Sequence, residues 1–313
     1  MDVTFLKIPT NGIHLHAAIA GPEEGPLLLF LHGFPESWRA WERHLPFFAE
    51  AGYRVVAPDQ RGYNLSDKPS DLESYVMNVL VQDVLGLIEA LGRRQAVIIG
   101  HDWGAAVAWE VAERHPDRVD KLVVMDVPHA SVMKAHLLRN PKQMLSSWYM
   151  AFFQLPRVPE LLLRARGHAV LCRVLTATSR PGTFSEGQIA SYREAWSQPG
   201  ALTSMLNWYR SIRVGILPPG AQVNDGTLVD ERDQAEASER VTKKKEDPAQ
   251  PRIQTPTLIL WGKLDSAVRY EMAFDSAKLC AHPQLEIFEH ATHWLHHEEP
   301  VRVQKTVLKF LVR

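Results

Sequence analysis

The sequence predicts an α/β fold, a mostly parallel central sheet with a helical lid inserted after the sixth strand. Three observations predict it. Short unbroken apolar runs, such as Leu27-Leu-Leu-Phe-Leu31, suit strands buried on both faces. These runs alternate with helical patterns at the spacing of βαβ units. The rhythm stops at Ser131, gives way to a helical pattern rich in Leu, Arg and aromatics until about Leu217, and resumes at Thr257-Leu-Ile-Leu-Trp261.

Taken in order, Val3 to Ile8 and Ile13 to Ala20 read as strands joined by Asn11-Gly12, a strong hairpin signal. The strand ending at Leu31 is followed by helical spacing over Trp38 to Glu50 and a buried strand over Arg54 to Ala57. Leu72 to Leu91 reads as helix, Gln95 to Ile99 as strand, Ala105 to Glu113 as helix and Leu122 to Met125 as strand. Beyond the lid come a strand at Thr257 to Trp261, a helix near Tyr270 to Leu279, a strand at Leu285 to Phe288 and a helix over Val301 to Leu311. Residues 1–130 and 253–313 therefore form the expected core, and 131–219 the lid. Residues 220–252 carry few apolar side chains and read as a charged surface excursion; Lys243-Lys244-Lys245 within it reads as solvated.

Composition narrows the function. Lys and Arg total 35 against 36 Asp and Glu, a formal charge of −1. That balance offers no footprint for nucleic acid or an anionic membrane and points to an uncharged partner. Cys172 and Cys280 form no CxxC pair, so no zinc site or disulfide framework is visible. The N-terminus lacks a basic-then-apolar leader, and the longest apolar run falls far short of the ~20 residues that span a bilayer. A cytoplasmic protein is the expectation; oligomeric state leaves no sequence signal.

The chemistry gathers at Gly100-His-Asp-Trp-Gly104, which follows a buried strand and opens a helix. This is the context of a nucleophile elbow: flanking glycines permit a sharp turn from which the middle side chain projects. The usual serine is replaced by Asp102. The loop His32-Gly-Phe-Pro35 after the earlier strand supplies one oxyanion-hole amide in such folds, and the residue after the nucleophile the other. That names the backbone N–H groups of Phe34 and Trp103. Pro35 is a candidate cis position. Asp265 lies just past a late strand, and His293 follows the next, in the triad order nucleophile, acid, histidine. His296 and His297 precede Glu298-Glu299-Pro300 and read as surface residues at a helix start. Asp126 also ends a strand and is the alternative acid; motif context favours Asp265.

The motifs His32-Gly-Phe-Pro35, Asp59-Gln-Arg-Gly-Tyr63, Gly100-His-Asp-Trp-Gly104, Trp261-Gly-Lys-Leu-Asp265 and His293-Trp294 resemble the epoxide hydrolase branch of the α/β-hydrolase family. The resemblance covers nearly the whole chain apart from residues 220–252. It implies two lid tyrosines, which Tyr149 and Tyr209 match. By spacing alone these read as amphipathic packing, since Tyr149 and Phe153 stand one turn apart. Trp103, Phe34 and Trp148 are expected to line the substrate site.

An aspartate is ionised at neutral pH without help from a base and suits displacement at a strained sp³ carbon, leaving an alkyl ester. Attack on an acyl substrate would instead give an anhydride. Two phenols could protonate the departing alkoxide, and His293 with Asp265 could activate water to cleave the ester. No metal or organic cofactor is required. The alternative is a haloalkane or haloacid dehalogenase using the same Asp102, although Phe34 stands where haloalkane dehalogenases carry Asn, and Trp103 where fluoroacetate dehalogenases carry Arg. An ordinary esterase is disfavoured by the aspartate, and a non-catalytic binding protein by the intact set of candidates.

Overall fold

The structure is a computed structural model that describes residues 3–214 and 252–312. Eight strands form one sheet: β1 (Thr4–Thr10), β2 (Ile13–Ala20), β3 (Leu27–Leu31), β4 (Arg54–Pro58), β5 (Ala96–His101), β6 (Val119–Met125), β7 (Thr257–Gly262) and β8 (Pro283–Phe288). Their spatial order is β1-β2-β4-β3-β5-β6-β7-β8. Strand β2 runs antiparallel to both its neighbours, and every later pairing is parallel.

Side-chain alternation explains why the central residues of the inner strands are apolar. Leu27, Leu29 and Leu31 enter one core, while Leu28 and Phe30 enter the other. Leu122 and Val124 divide from Val123 and Met125 in the same way. Helices α2 (Met77–Ala90) and α3 (Trp103–Arg114) cover the first face; α1 (Leu45–Glu50) and the C-terminal helix Pro300–Leu311 cover the second. With both faces dry, charged residues of these strands, such as Arg54, Asp120 and Lys121, fall near the strand starts.

The helix expected over Trp38 to Glu50 divides into a single 3-10 turn at Trp38–Trp41 and α1. Pro46 is the cause: it lacks an N–H for a bond to the preceding turn and is tolerated only near a helix start. A similar break at extended Val76 separates a 3-10 turn, Glu73–Tyr75, from α2.

Between β6 and β7 the described chain is helical: α4 (Ala130–Arg139), α5 (Pro141–Ser146), α6 (Trp148–Phe152), α7 (Val158–Thr178), α8 (Glu186–Trp196) and α9 (Ala201–Val214). Helix α7 is broken at residues 165–168, which leave helical geometry. Residues 215–219 of the expected lid, and the charged stretch 220–252 except Arg252, lie outside the described residues. Indole N–H groups tie lid to core: Trp208 donates to the Arg61 carbonyl at 2.9 Å, and Trp196 to that of Pro35 at 2.6 Å.

The Asp59-Gln-Arg-Gly-Tyr63 motif serves this junction. Buried Asp59 accepts from the Trp38 amide at 2.9 Å, the Asn64 amide group at 2.8 Å and, at 2.7 Å, pairs with His16. Arg61 grips Asp83 of α2 through two bonds of 2.7 and 2.6 Å. Burial raises the Asp83 carboxyl against the pull of that guanidinium. Arg61→Ala should lower unfolding free energy by about 3–5 kcal/mol, because it strands a buried carboxylate. Urea denaturation measures this; a loss well under 1 kcal/mol would show that Asp83 finds relief elsewhere.

Candidate active site

The site forms beyond the carboxyl ends of β3, β5, β6, β7 and β8, where ligands bind in open parallel sheets. Asp102 sits between β5 and α3 at φ 50° and ψ −121°, a conformation rare for a residue with a side chain. Its neighbours enforce the turn. A Cβ on Gly100 would strike the Gly104 and Ala105 backbone, one on Gly104 the Leu31 and His32 backbone, and one on Gly33 the Asp102 side chain. Strain of this kind costs about 1–3 kcal/mol and survives only where the surroundings over-determine it.

The Phe34 amide donates to Asp102 Oδ1 at 2.7 Å. Phe34–Pro35 is a cis peptide bond, as the sequence suggested. Trp103 is the first residue of α3, so its amide has no partner within the helix. Asp102 Oδ2 lies 3.7 Å from His293 Nε2. On the other side of the ring, Nδ1 stands 2.7 Å from Asp265 Oδ2, and Asp265 Oδ1 accepts from the Ala267 and Val268 amides at 2.7 and 2.9 Å. Asp265 is thus fixed at both oxygens.

Asp126, the alternative acid, is fully buried at φ 56°. Its Oδ1 accepts from the Gly262 amide at 2.7 Å, while Oδ2 has no hydrogen-bond partner. Burial, and then the charge of Asp265, push its carboxyl well above the ordinary range. It sits behind the Asp265–His293 pair, its ionisation opposed by burial. Burial works against charge on His293, but the carboxylates of Asp265 and Asp102 prevail and raise the imidazole well above its usual value. Burial likewise opposes ionisation of Asp102; His293, His101 and the Phe34 amide outweigh it and lower the carboxyl. The resting arrangement is an imidazolium between two carboxylates.

Over Asp102 hangs an aromatic roof. Tyr209 of α9 meets Phe34, Trp103 and Phe153 edge-on at centroid distances of 5.4, 5.1 and 5.0 Å, and Tyr149 of α6 at 5.9 Å. Burial and the nearby Asp102 charge raise both phenols, which stay protonated. Trp148, expected at this site, does not line it. Its side chain points outward and is 66% exposed, because one residue turns a helix by about 100° and Tyr149 takes the inward place.

His296 and His297 are likewise corrected: both are buried, not surface residues. They lie on the short helix Leu295–Glu298, which turns them inward onto Glu36. Glu36 follows the His32-Gly-Phe-Pro35 loop and was not singled out by sequence. Its Oε1 accepts from His297 at 2.7 Å and from the lid Tyr192 hydroxyl at 3.1 Å. Its Oε2 stands 3.1 Å from His101 Nδ1 and 3.4 Å from His296 Nε2. His101 uses its other nitrogen to donate to the His293 carbonyl at 2.8 Å. Glu36, His101 and His296 bring three ligand-type atoms within 4.8 Å of one another, as do His101, Asp126 and His293. One carboxylate thereby joins the loops carrying Phe34, Asp102 and His293.

Residues 26–300 match the family model for the alpha/beta hydrolase fold, and the chain belongs to that family. Its relatives place it in the epoxide hydrolase branch. It is 36% identical to epoxide hydrolase 3 of Xenopus tropicalis, over 98% of this chain and 77% of that protein. It is 40% identical to the AB hydrolase superfamily protein YfhM of Bacillus subtilis, over 97% and 96%. Among solved structures, the epoxide hydrolase of Bacillus megaterium in complex with an inhibitor superposes with a TM-score of 0.79 at 28% identity, covering 99% of this chain and 100% of that one. No described helix is long and apolar enough to cross a membrane.

Burial opposes the Glu36 charge, yet His296, His101 and His297 hold its carboxyl well below the ordinary 4.5. A depressed folded-state value means stability that is complete above pH 4.5 and is lost as pH falls through the lower folded value. Glu36→Gln should cost about 3–5 kcal/mol at neutral pH, with the deficit shrinking in acid. Urea titrations across a pH series test this. A deficit that did not vary with pH would mean that size, not charge, matters at position 36.

Proposed function

We propose that this protein is an epoxide hydrolase that converts a small lipophilic epoxide and water to a vicinal diol through an alkyl ester on Asp102. The observation that carries this reading is the carboxylate at the elbow: ionised, held at one oxygen by the Phe34 amide, and roofed by two protonated phenols. The oxygen left unclaimed, Oδ2, attacks an epoxide carbon. Tyr149 and Tyr209 hold the ring oxygen, and one gives it a proton as the carbon–oxygen bond breaks.

The charges around His293 then explain the order of events. While Asp102 is anionic, the imidazole stays protonated and cannot act as a base. Esterification neutralises Asp102 and removes one of the two charges that hold the proton. His293 releases it, and that proton restores the tyrosinate. Neutral His293 next takes a proton from water, which attacks the ester carbonyl carbon. The oxyanion forms at Oδ1, against the Phe34 and Trp103 amides. Collapse expels the diol, the imidazolium supplies the leaving oxygen's proton, and a second ionisation returns the resting state. Asp265 steadies the imidazolium throughout. Phe34 and Trp103 also provide apolar walls for the substrate.

Incubation with an aryl epoxide, a long-chain epoxide, a chloroalkane and fluoroacetate, following diol and halide together, tests the reading. Diol without halide is expected. Halide without diol would move the enzyme to the dehalogenases. Asp102→Ala should abolish turnover, and His293→Gln should accumulate protein heavier by one epoxide. The Tyr149→Phe/Tyr209→Phe double variant should lose about a hundredfold or more in kcat/KM.

Asp265→Asn should reduce turnover far more than Asp126→Asn, since only Asp265 bonds the imidazole, at 2.7 Å. A larger loss at Asp126 would reverse the assignment of the acid.

A further inference from the structure

The whole-chain charge of −1 conceals a strong asymmetry. Residues 130–214, the described lid, carry eleven Lys and Arg against three Glu, a net charge of +8, so the rest of the chain stands at −9. The bias sharpens in the stretch 138–166, from the end of α4 through the first half of α7. Arg139, Lys142, Arg157, Arg164 and Arg166 are all exposed there, and none forms an ion pair among the described residues. The single acid in that stretch, Glu160, is turned inward and taken up by Arg210 at 2.6 Å.

The same stretch exposes large apolar side chains. Leu138 is 77% exposed, Leu145 70%, Leu161 69% and Trp148 66%. Gln143, Ser147, Phe153 and Leu163 are the buried side chains interspersed among them. The stretch 138–166 thus combines a few buried side chains with an exposed set of leucine, tryptophan, lysine and arginine.

We propose that this outer side of the lid docks on an anionic bilayer surface. Cations there meet lipid phosphates, while the leucines and Trp148 enter the headgroup boundary, where an indole is well accommodated. Cations and apolar residues interleave along the stretch. A protein interface typically has an apolar centre depleted of charge and a polar rim, which this is not. Pairing with a second copy would set cations against cations. The near-neutral total, which argued against a membrane footprint, averages the lid with a core of opposite sign.

Sedimentation with vesicles tests the proposal independently of the reaction. The protein should pellet with phosphatidylcholine vesicles containing phosphatidylglycerol, release at high salt, and ignore phosphatidylcholine alone. Arg139→Glu/Arg157→Glu and Leu145→Asp/Leu161→Asp should each weaken binding by roughly tenfold or more. Hydrolysis of a water-soluble epoxide in the same variants should stay unchanged, showing that the fold is intact. Protein that stays in the supernatant with anionic vesicles, or variants that bind like the parent, would overturn the proposal. So would a dimer that both variants dissolve in the absence of vesicle binding.

Discussion

An imidazolium held between two carboxylates organises this molecule. His293 stands 2.7 Å from Asp265 and 3.7 Å from Asp102, and burying three charges together is tolerable only because they are paired and hydrogen-bonded. The two carboxylates are not equivalent. Asp265 has both oxygens occupied by the ring and two amides, so it serves as a fixed counter-charge. Asp102 keeps one oxygen unclaimed by any amide and its side chain 15% exposed, so it is the group that can react. Neutralising it changes the proton affinity of the ring beside it, which gives the scheme its direction without any moving part.

Much of the surrounding structure keeps that trio in place. The strained Asp102 backbone depends on three glycines at which no Cβ fits. Glu36 gathers imidazoles from the loops that carry Asp102 and His293 and a phenol from the lid, and through His101 it reaches the His293 carbonyl. Indoles from α8 and α9 fasten the lid to the Pro35 and Arg61 carbonyls. On α6, Tyr149 packs against Phe153 and Tyr209, while Trp148, its immediate neighbour, is exposed. Chemistry and surface recognition can occupy adjacent positions because a helix turns by about 100° per residue.

Physical reasons decide what could be read from the sequence. The inner strands were legible because their central residues are apolar on both faces, as Leu27 to Leu31 shows, and the first two because Asn11-Gly12 marks a hairpin between them. The elbow was legible because the turn demands glycine at fixed offsets, and Asp265 and His293 because each follows a strand by a short loop. Glu36 was not, since its partners His101 and His297 lie 65 and 261 residues away. A glutamate beside a proline carries no mark of burial. His296 and His297 misled for the same reason: a short extra helix turns them inward, and acidic neighbours hide it. Trp148 failed on a helical phase that five residues of α6 cannot define. The lid's charge was visible in principle, but it was lost in the sum over the whole chain.

In the proposed reaction Asp102 itself forms the bond to substrate carbon and water then attacks the ester carbonyl. A single turnover in ¹⁸O-water, with enzyme in excess over epoxide, tests it most directly. The first-formed diol should be unlabelled, with the label in the peptide containing Asp102. Label in the diol of that first turnover, with an unlabelled Asp102 peptide, would mean that water attacks the epoxide directly and that Asp102 is not the nucleophile.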